Sequence, residues 1–387
     1  MKLRKNADTL KQVTDLIEYA FLKNDDLTQN NTFMSRYLHS ADYGIMNGNK
    51  LASYLMVTPF QSHIFSKSVQ MAGIGYVASY PEYRGQGGIS KLFKEVFHDL
   101  HEQNIPLSNL APFSENFYRQ YGYENTIYQK VYSFDKNALK GFKMPKKRKL
   151  LRGKWNDLEI QNYVVQLYEA QLHTKAERNT VVRPQWWWNR INEYYPYRNI
   201  VISLDENERP RGYMVYRIYN STFHVEEMYY LDRNSAKDFL AFMASHISSR
   251  LKFEVIMPTN ALLEDVFPEQ QFLNITLVPY MMSRIIDFKK IMSCMQLNRL
   301  GTFNIEVTDD QLCPWNNGVW EIEDYEGTLL CNKVEGDPDY SASINNWSKI
   351  LLGELTLSRA IEAGDVHCNR NQRIEFKKGK TSFYDYF

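Results

Sequence analysis

The first 135 residues combine helix-like and strand-like hydrophobic patterns. Apolar residues at roughly helical spacing over 10–22 predict a first helix, which a polar loop follows. Strand-like runs on both sides of Asn47-Gly48 predict a β-hairpin, because Asn-Gly is a strong short turn signal. A third strand over 68–81 continues the meander. The i, i+3, i+4 stripe from Ile89 to Leu100 then predicts a helix of about four turns.

A similar order of elements follows loosely from 155 to 287, and the last hundred residues mix strands with a helical stretch at 343–354. Within residues 155–287, several segments have helical or strand-like patterns. Helices are expected at 156–172, 184–192 and 235–248, and strands at 199–204, 212–219, 223–231 and 253–258. Since 387 residues exceed one ordinary core, we predict three α/β (α+β) domains, at 1–145, 146–287 and 288–387.

Charge and cysteine content exclude several classes of protein. The net charge is +1, so no overall field attracts nucleic acid or an anionic membrane, and the basic run at 140–155 is interpreted as a solvated linker or exposed edge. The four cysteines lie far apart without a C-x-x-C pair, so neither a disulfide framework nor a zinc site is expected. No long apolar span is present. A soluble cytoplasmic protein without a metal is therefore expected.

The glycine-rich loop between the third strand and the next helix has the composition of an anion site. It contains Arg84, Gly85, Gln86, Gly87 and Gly88. Glycines expose backbone amides at the positive end of a helix, and an arginine adds a charged donor, so the loop suits a pyrophosphate. Two familiar phosphate motifs do not fit. The G-x-G-x-x-G pattern meets serine at position 90, and a Walker pattern ending in "GKT" at 379–381 meets Ile374.

The strand and loop together resemble the GNAT superfamily of N-acetyltransferases. "MAGIGYVASYPEYRGQGGISKLF", followed by "LAPFSENFYRQYGYE", is similar to the enhanced-intracellular-survival (Eis) group. The similarity is dense over 70–124 and extends to "RPQWWW" at 183–188 and the aromatic carboxyl terminus. Ile89 departs from the glycine or alanine of many GNAT members, but the Eis group accepts an aliphatic residue there.

This resemblance implies two tandem GNAT domains, the second without a cofactor loop, and a third domain resembling sterol carrier proteins. It also implies acetyl-coenzyme A as co-substrate and a homo-oligomer, a hexamer in that group. The expected cofactor contacts are the strand end, the loop and the start of the helical turn in "SENFYRQYGYE". They are Val77, Ala78, Ser79, Arg84, Gly85, Gln86, Gly87, Gly88, Ile89 and Ser114.

The resemblance assigns the catalytic groups to Tyr118 and to the α-carboxylate of Phe387. Tyr118 is the expected general acid, because a phenol keeps its proton at neutral pH and can give it to a departing thiolate. Tyr121 and Tyr123 are its competitors within the motif. The carboxylate would orient the acceptor amine and receive its proton, whereas the alternative is that the terminal aromatic residues are only a hydrophobic anchor.

The expected reaction is acetylation of primary amines on a cationic acceptor, which could be an aminoglycoside, a polyamine or a lysine side chain. Asp25 and Asp26 lie in the loop where GNAT enzymes place acceptor contacts, although helix capping explains them equally well. Two alternative functions are a non-catalytic acyl-coenzyme A sensor and an apolar-ligand carrier based on the third domain.

Two further patterns have structural explanations as well as functional ones. His98 and His101 share one helix and could both bind a metal, but no other ligand lies nearby in sequence, so a solvated face is expected. The three tryptophans at 186–188 could stack on a sugar or a base, although packing in the core or between domains is the preferred interpretation.

Overall fold

The computed structural model describes residues 1–249, 252–298, 301–370 and 374–387. The helices are α1 (Ala7–Ala20), α2 (Asn31–His39), α3 (Gly88–Glu102), α4 (Glu115–Arg119), α5 (Leu158–Leu172), α6 (Gln185–Tyr194), α7 (Arg233–Ala244), α8 (Phe288–Met292), α9 (Ile344–Leu352) and α10 (Leu357–Glu362). None of these helices is long and apolar enough to cross a membrane.

The strands of the described residues form two sheets. In chain order they are β1 (Ala41–Asn47), β2 (Lys50–Ile64), β3 (Lys67–Ser79), β4 (Leu107–Leu110), β5 (Glu124–Phe134), β6 (Lys149–Gly153), β7 (Arg178–Val182), β8 (Asn199–Leu204), β9 (Pro210–Tyr219), β10 (Thr222–Tyr230), β11 (Lys252–Pro258), β12 (Asn274–Ile285), β13 (Thr302–Thr308), β14 (Gly318–Tyr325), β15 (Thr328–Val334), β16 (Tyr340–Ser343) and β17 (His367–Cys368).

The larger sheet runs continuously through the first two thirds of the chain. Its order is β1-β2-β3-β4-β12-β5-β11-β10-β9-β8-β6, and β7 pairs with the far end of β2. β12 lies between β4 and β5, although almost 140 residues separate it in sequence from β5. A sheet shared in this way joins the predicted units 1–145 and 146–287, whose exact boundaries stay a prediction.

Helices cover both faces of this sheet and bury the apolar stripes that the sequence shows. α3 buries Leu92, Phe93, Val96, Phe97 and Leu100, as its spacing predicted. α1 begins at the cap residue Asn6 and packs on β2 and β3. The hairpin between β1 and β2 turns through Gly48, whose φ of 57° favours glycine.

The last hundred residues form the second sheet, in the order β15-β14-β13-β16-β17, with α9 between it and the large sheet. α9 packs on β5 and β12, and Trp347 donates from Nε1 to the carbonyl of Glu306 at 2.9 Å. This domain therefore packs against the large sheet through α9. The four cysteines are free thiols, in agreement with the sequence.

The final ten residues leave this domain and follow the second unit back to the large sheet. The amide of Arg178 donates to the carbonyl of Lys380 at 2.7 Å, and the amide of Lys380 donates to the carbonyl of Ala176 at 2.7 Å. Further along, the hydroxyl of Ser382 donates to Glu177 at 3.0 Å. This terminal segment, 378–387, is called the tail below.

Candidate active site

β3 opens an edge of the sheet at its carboxyl end. Its parallel pairing with β4 ends at the pair Ile74 and Leu110, while β3 itself continues to Ser79. On the other side, its register with β2 shifts beside Tyr76, whose φ of 52° marks a bulge. The backbone of residues 77–79 therefore faces a gap on the side where the pairing with β4 has ended.

The glycine loop follows directly and leads into α3 without a side-chain cap. Gly85 and Gly87 have φ of 75° and 74°, and Gly87 is the N-cap of α3. A Cβ built on either residue would meet no atom within 4 Å. The first amides of α3 are thus open to a ligand, at the end of the helix that favours anions.

A cavity of about 800 Å³ extends from the loop along the open edge of β3. It is lined by eight of the ten residues expected to contact the cofactor: Val77, Ala78, Ser79, Arg84, Gly85, Gly87, Gly88 and Ile89. The other two do not line it. Gln86 donates to the carbonyl of Glu82 at 2.9 Å, and Ser114 caps α4. We call this space the donor cavity.

A second cavity of about 450 Å³ begins where the donor cavity ends. Phe21, Val77 and Phe113 line both, so the two spaces meet at the bulged end of β3. The second space is bounded by α2, α6, β10 and the tail, and Tyr118 and Phe387 both line it. We call it the acceptor cavity.

Tyr118 is the tyrosine of its motif that lines the acceptor cavity. Burial, with Tyr121 and Tyr386 nearby, raises the pKa of Tyr118 above the usual phenol value, so its proton is retained. Tyr121 instead shares a hydrogen bond with Ser90 at 3.0 Å and lines the donor cavity. Tyr123 is fully buried and shares a hydrogen bond with Ser108 at 2.6 Å.

The ring of Phe387 anchors the end of the tail. It stacks on Phe60 at 5.3 Å between ring centroids and packs edge-on against Trp187 at 6.2 Å. A Cβ on Gly73 would come within 2.9 Å of this ring, so β3 needs glycine there. The anchoring expected as an alternative therefore occurs, and it places residue 387 in the acceptor cavity.

The polar wall of the acceptor cavity is built by Arg183 at its centre. Its guanidinium donates to both carboxylate oxygens of Glu227, at 3.1 and 2.9 Å, and to Oδ1 of Asp385 at 2.8 Å. The guanidinium of Arg183 also lies over the rings of Tyr168 and Trp188. Because Asp385 belongs to the tail, this network ties the tail to the second unit.

Several other residues singled out in the sequence lie outside both cavities. Asp25 accepts a hydrogen bond from Asn30 at 2.8 Å, and Asp26 caps the short 3-10 helix Leu27–Gln29, so both carboxylates serve local structure. Trp187 and Trp188 are buried, and Trp186 stacks on His39 at 4.1 Å. Packing is thus the observed role of the tryptophans.

The two histidines of α3 face the carboxyl-terminal domain. His101 stacks on Trp315 at 4.2 Å, whereas His98 is exposed. The part of the chain that the structure describes contains no group of three or more His, Cys, Asp or Glu side chains placed to hold a metal ion.

The second unit lacks an open helix terminus at the corresponding place. α7 follows β10, but the carboxylate of Asp232 caps it by accepting from the amide of Ser235 at 2.8 Å. A carboxylate at this position occupies the amide donors and repels phosphate. The expectation that the second unit holds no cofactor stays a prediction.

Comparison with known proteins agrees with this geometry. Acetyltransferase (GNAT) domain families match residues 4–126 and 180–285, and the sterol carrier protein domain family matches 293–377. A crystal structure from Enterococcus faecalis, of a probable N-acyltransferase, is 30% identical over 100% of this chain and 99% of its own, with a TM-score of 0.88. The chain belongs to the GNAT acetyltransferases.

Two more distant structures share this GNAT fold. A GCN5-related N-acetyltransferase from Anabaena variabilis is 20% identical, with a TM-score of 0.84 and full coverage of both chains. Eis1 from Mycobacterium abscessus is 15% identical, with a TM-score of 0.79 over 95% of this chain and 93% of its own. No curated protein gives a significant sequence match. The predicted architecture of tandem GNAT domains with a sterol-carrier-like domain is confirmed.

Proposed function

We propose that the protein is an acetyl-coenzyme A-dependent N-acetyltransferase, distantly related to the Eis group, that acetylates a primary amine by direct attack. The observation that carries this proposal is the meeting of two cavities at Val77, with an anion-binding loop at the end of one and Tyr118 in the other. A donor and an acceptor can then enter from different sides and react at the junction.

The donor side suits the long, polar body of acetyl-coenzyme A. The open amides of Gly87 and Gly88 and the side chain of Arg84 offer donors for the pyrophosphate. The free edge of residues 77–79 can pair with the amide groups of the pantetheine arm, as an added strand would. The thioester would then lie at the bulge, beside the acceptor cavity.

On the acceptor side, the lone pair of the amine attacks the thioester carbonyl, and the carbon–sulfur bond then breaks. Tyr118 gives its proton to the departing thiolate, and burial keeps the phenol protonated until that step because it raises the pKa of Tyr118. The α-carboxylate of Phe387 receives the proton that the new amide nitrogen loses, directly or through water. A fixed anion beside the attacking nitrogen also stabilises the positive charge that develops on it.

The resemblance to the Eis group implies a cationic acceptor, such as an aminoglycoside, a polyamine or a lysine side chain. The structure offers little support for a polycation, since Asp25 and Asp26 lie outside the acceptor cavity and serve as local hydrogen-bond acceptors.

The two alternative functions receive less support. An acyl-coenzyme A sensor has no need for a buried tyrosine and a chain terminus in a second cavity. A carrier needs an apolar cavity in the third domain, but the space that Ile350 and Gly353 of the 343–354 segment line holds about 10 Å³, roughly one water molecule.

A single experiment separates the three functions. The protein is incubated with acetyl-coenzyme A and a panel of primary amines, and free thiol release is followed against a blank without amine. An enzyme gives amine-dependent release, a sensor gives binding without release, and a carrier gives neither. Absence of release with every amine, despite cofactor binding, would contradict the proposal.

We also propose that the protein forms a homo-oligomer. Residues 274–278 of β12 pair with β5 on one side, whereas β4 reaches only residues 282–285 of this strand. Ile275, Leu277 and Val278 are 40%, 57% and 39% exposed along this edge, which is a pattern typical of interfaces. Sedimentation of Leu277→Lys should show a smaller species than the wild type, and an unchanged distribution would contradict this assignment.

A further inference from the structure

Two buried arginines line the acceptor cavity without a carboxylate partner. Arg36 comes from α2 and Arg190 from α6. They are 3% and 7% exposed, and among the described residues neither forms an ion pair with an acidic side chain. A buried cation without a counter-ion is costly, which makes this pair a candidate anion site.

The side-chain carboxylates of the same cavity already pair with other arginines, so among the described residues the α-carboxylate of Phe387 is the one lining anion left to face Arg36, Arg190 and Lys23. Glu227 and Asp385 both bind Arg183, and Glu226 forms ion pairs of 2.5 Å with Arg198 and with Arg217. The lining also includes Lys23. The acceptor cavity therefore has an excess of positive charge, which disfavours a polycation and favours an anion.

Arg36 is held with one nitrogen left over. Its Nε donates to the hydroxyl of Thr58 at 3.0 Å, while Nη2 is buried and has no hydrogen-bond partner. Gly75 provides the room, because a Cβ on this residue would overlap Nη2 of Arg36. Burial, with the positive charge of Arg190 as a further contribution, lowers the pKa of Arg36 from its ordinary value to about 10.

Arg190 is fixed next to it by aromatic side chains. Its Nε donates to the carbonyl of Thr32 at 3.0 Å, and its guanidinium lies over the rings of Trp187 and Tyr194. Burial also lowers the pKa of Arg190. The guanidinium of Arg36 lies over the ring of Tyr76, and Tyr76 is also close enough to Arg190 to affect the pKa of that arginine, so both cations border the bulge of β3.

We propose that Arg36 and Arg190 bind a carboxylate of the acceptor, so that the substrate is an amino acid or a similar amine with an acidic group. This inference rests on the proposed acetyl transfer. Gly75, beside Arg36, and Val77, at the junction with the donor cavity, are two residues apart on either side of the bulge at Tyr76, so their backbones are at most about 7 Å apart. The amine and the acid should therefore be separated by only a few bonds, as in α-, β- and γ-amino acids.

Matched acceptors test this directly. β-Alanine is compared with β-alaninamide, and phenylalanine with phenylalaninamide, so that the members of each pair differ in the acidic group. The rates are corrected for the fraction of each amine that is unprotonated at the pH of the assay. The kcat/KM of the wild type should be at least about tenfold higher for the acids than for the amides. A ratio of about tenfold is the effect expected from one charge-assisted hydrogen bond. An equal or higher value for the amides would overturn the assignment.

Substitutions of the two arginines test whether they produce the preference for acids over amides. Arg36→Gln and Arg190→Gln should lower the ratio of kcat/KM for the acid to kcat/KM for the matched amide by about tenfold or more, while Arg36→Lys keeps part of the preference. Arg209→Gln is the control, because this arginine is 69% exposed and pairs with Asp205 away from both cavities. An equal loss with acids and amides would show that Arg36 serves the carboxylate of Phe387 or the fold, and would overturn the proposal.

Binding measurements keep the two proposals separable. If the wild type acetylates amides but not acids, the acid site fails and the acetyltransferase stands. If no amine reacts, calorimetry with the N-acetylated acids and amides still decides the acid site. Tighter binding of the acids, lost in Arg190→Gln, supports it, and equal binding refutes it. If Arg36→Gln does not fold, Arg190→Gln alone tests the acid site.

Discussion

Nε1 of Trp187 donates to Oδ1 of Asp385 at 2.7 Å, and this bond joins α6 of the second GNAT domain to the tail. The same oxygen accepts from Arg183 at 2.8 Å. Two residues later, Phe387 reaches the acceptor cavity. The second domain thus contributes to the acceptor cavity by fixing the tail.

Asp385→Ala should destabilise the protein and release the tail together. The substitution removes the hydrogen bonds that Asp385 accepts from Arg183 and from Trp187, and it leaves Arg183 paired with Glu227 alone. We therefore expect the free energy of unfolding to fall by at least about 2 kcal/mol. Denaturant unfolding measures it. Asp365→Ala is the control, since its pair with Lys349 is 3.5 Å long and partly exposed, and should change stability by about 1 kcal/mol or less. Equal effects would mean that the buried network does not anchor the tail.

Gly87→Glu should abolish acetyl-coenzyme A binding, because the carboxylate would meet the pyrophosphate at the open start of α3. Calorimetry should show affinity reduced by about 100-fold or more. Gly327→Glu controls for backbone strain, because Gly327 has a similar φ of 80° in the turn between β14 and β15, with no atom within 4 Å of a built Cβ. Unchanged affinity in Gly87→Glu would refute the loop assignment.

Tyr118→Phe should lower kcat by roughly 10- to 100-fold and leave the affinity for acetyl-coenzyme A almost unchanged, because it removes the acid and keeps the ring. Since the pKa of Tyr118 is raised, the wild-type rate should not fall on the alkaline side at the ordinary phenol value of about 10. Tyr121→Phe is the matched variant and should affect cofactor affinity more than kcat, because Tyr121 lines the donor cavity. The reverse pattern would assign the acid role to Tyr121.

Replacing the α-carboxylate of Phe387 with an amide, by semisynthesis, tests the base. The aromatic ring and its packing on Phe60 remain, so folding and cofactor binding should be normal. Turnover should fall by at least about tenfold, or roughly 1.4 kcal/mol of transition-state stabilisation. Deletion of Phe387 removes ring and charge and should cost more. Full activity of the amide would leave the tail as an anchor only.

The sequence predicts the parts of the site that are local. The strand, the glycine loop and α3 follow one another between residues 67 and 102, and each has a pattern of its own, so their arrangement could be predicted together with Tyr118. The α2 helix was missed. It is short, and the buried Arg36 interrupts the apolar stripe that would have revealed it.

The polar wall of the acceptor cavity could not be predicted, because it comes together only in the folded chain. Arg36, Arg183, Glu227 and Asp385 come from α2, the segment after β7, β10 and the tail. β7 is buried but polar, with Arg178 and Asn179 inside, so it lacks a hydrophobic strand signal. The loop around Asp25 was placed near the acceptor by analogy, and its carboxylates instead cap and brace the loop.

The central claim, acetyl transfer between the two cavities, is tested most directly by following the acetyl group itself. Acetyl-coenzyme A carrying a ¹³C-labelled carbonyl is incubated with β-alanine, β-alaninamide and a polyamine, and the products are resolved by NMR and mass spectrometry. We predict that the label appears as an amide on the acceptor nitrogen, at a rate that both Gly87→Glu and Tyr118→Phe reduce strongly. Label that remains on coenzyme A, or that appears only as free acetate at the same rate in all three proteins, would contradict the account.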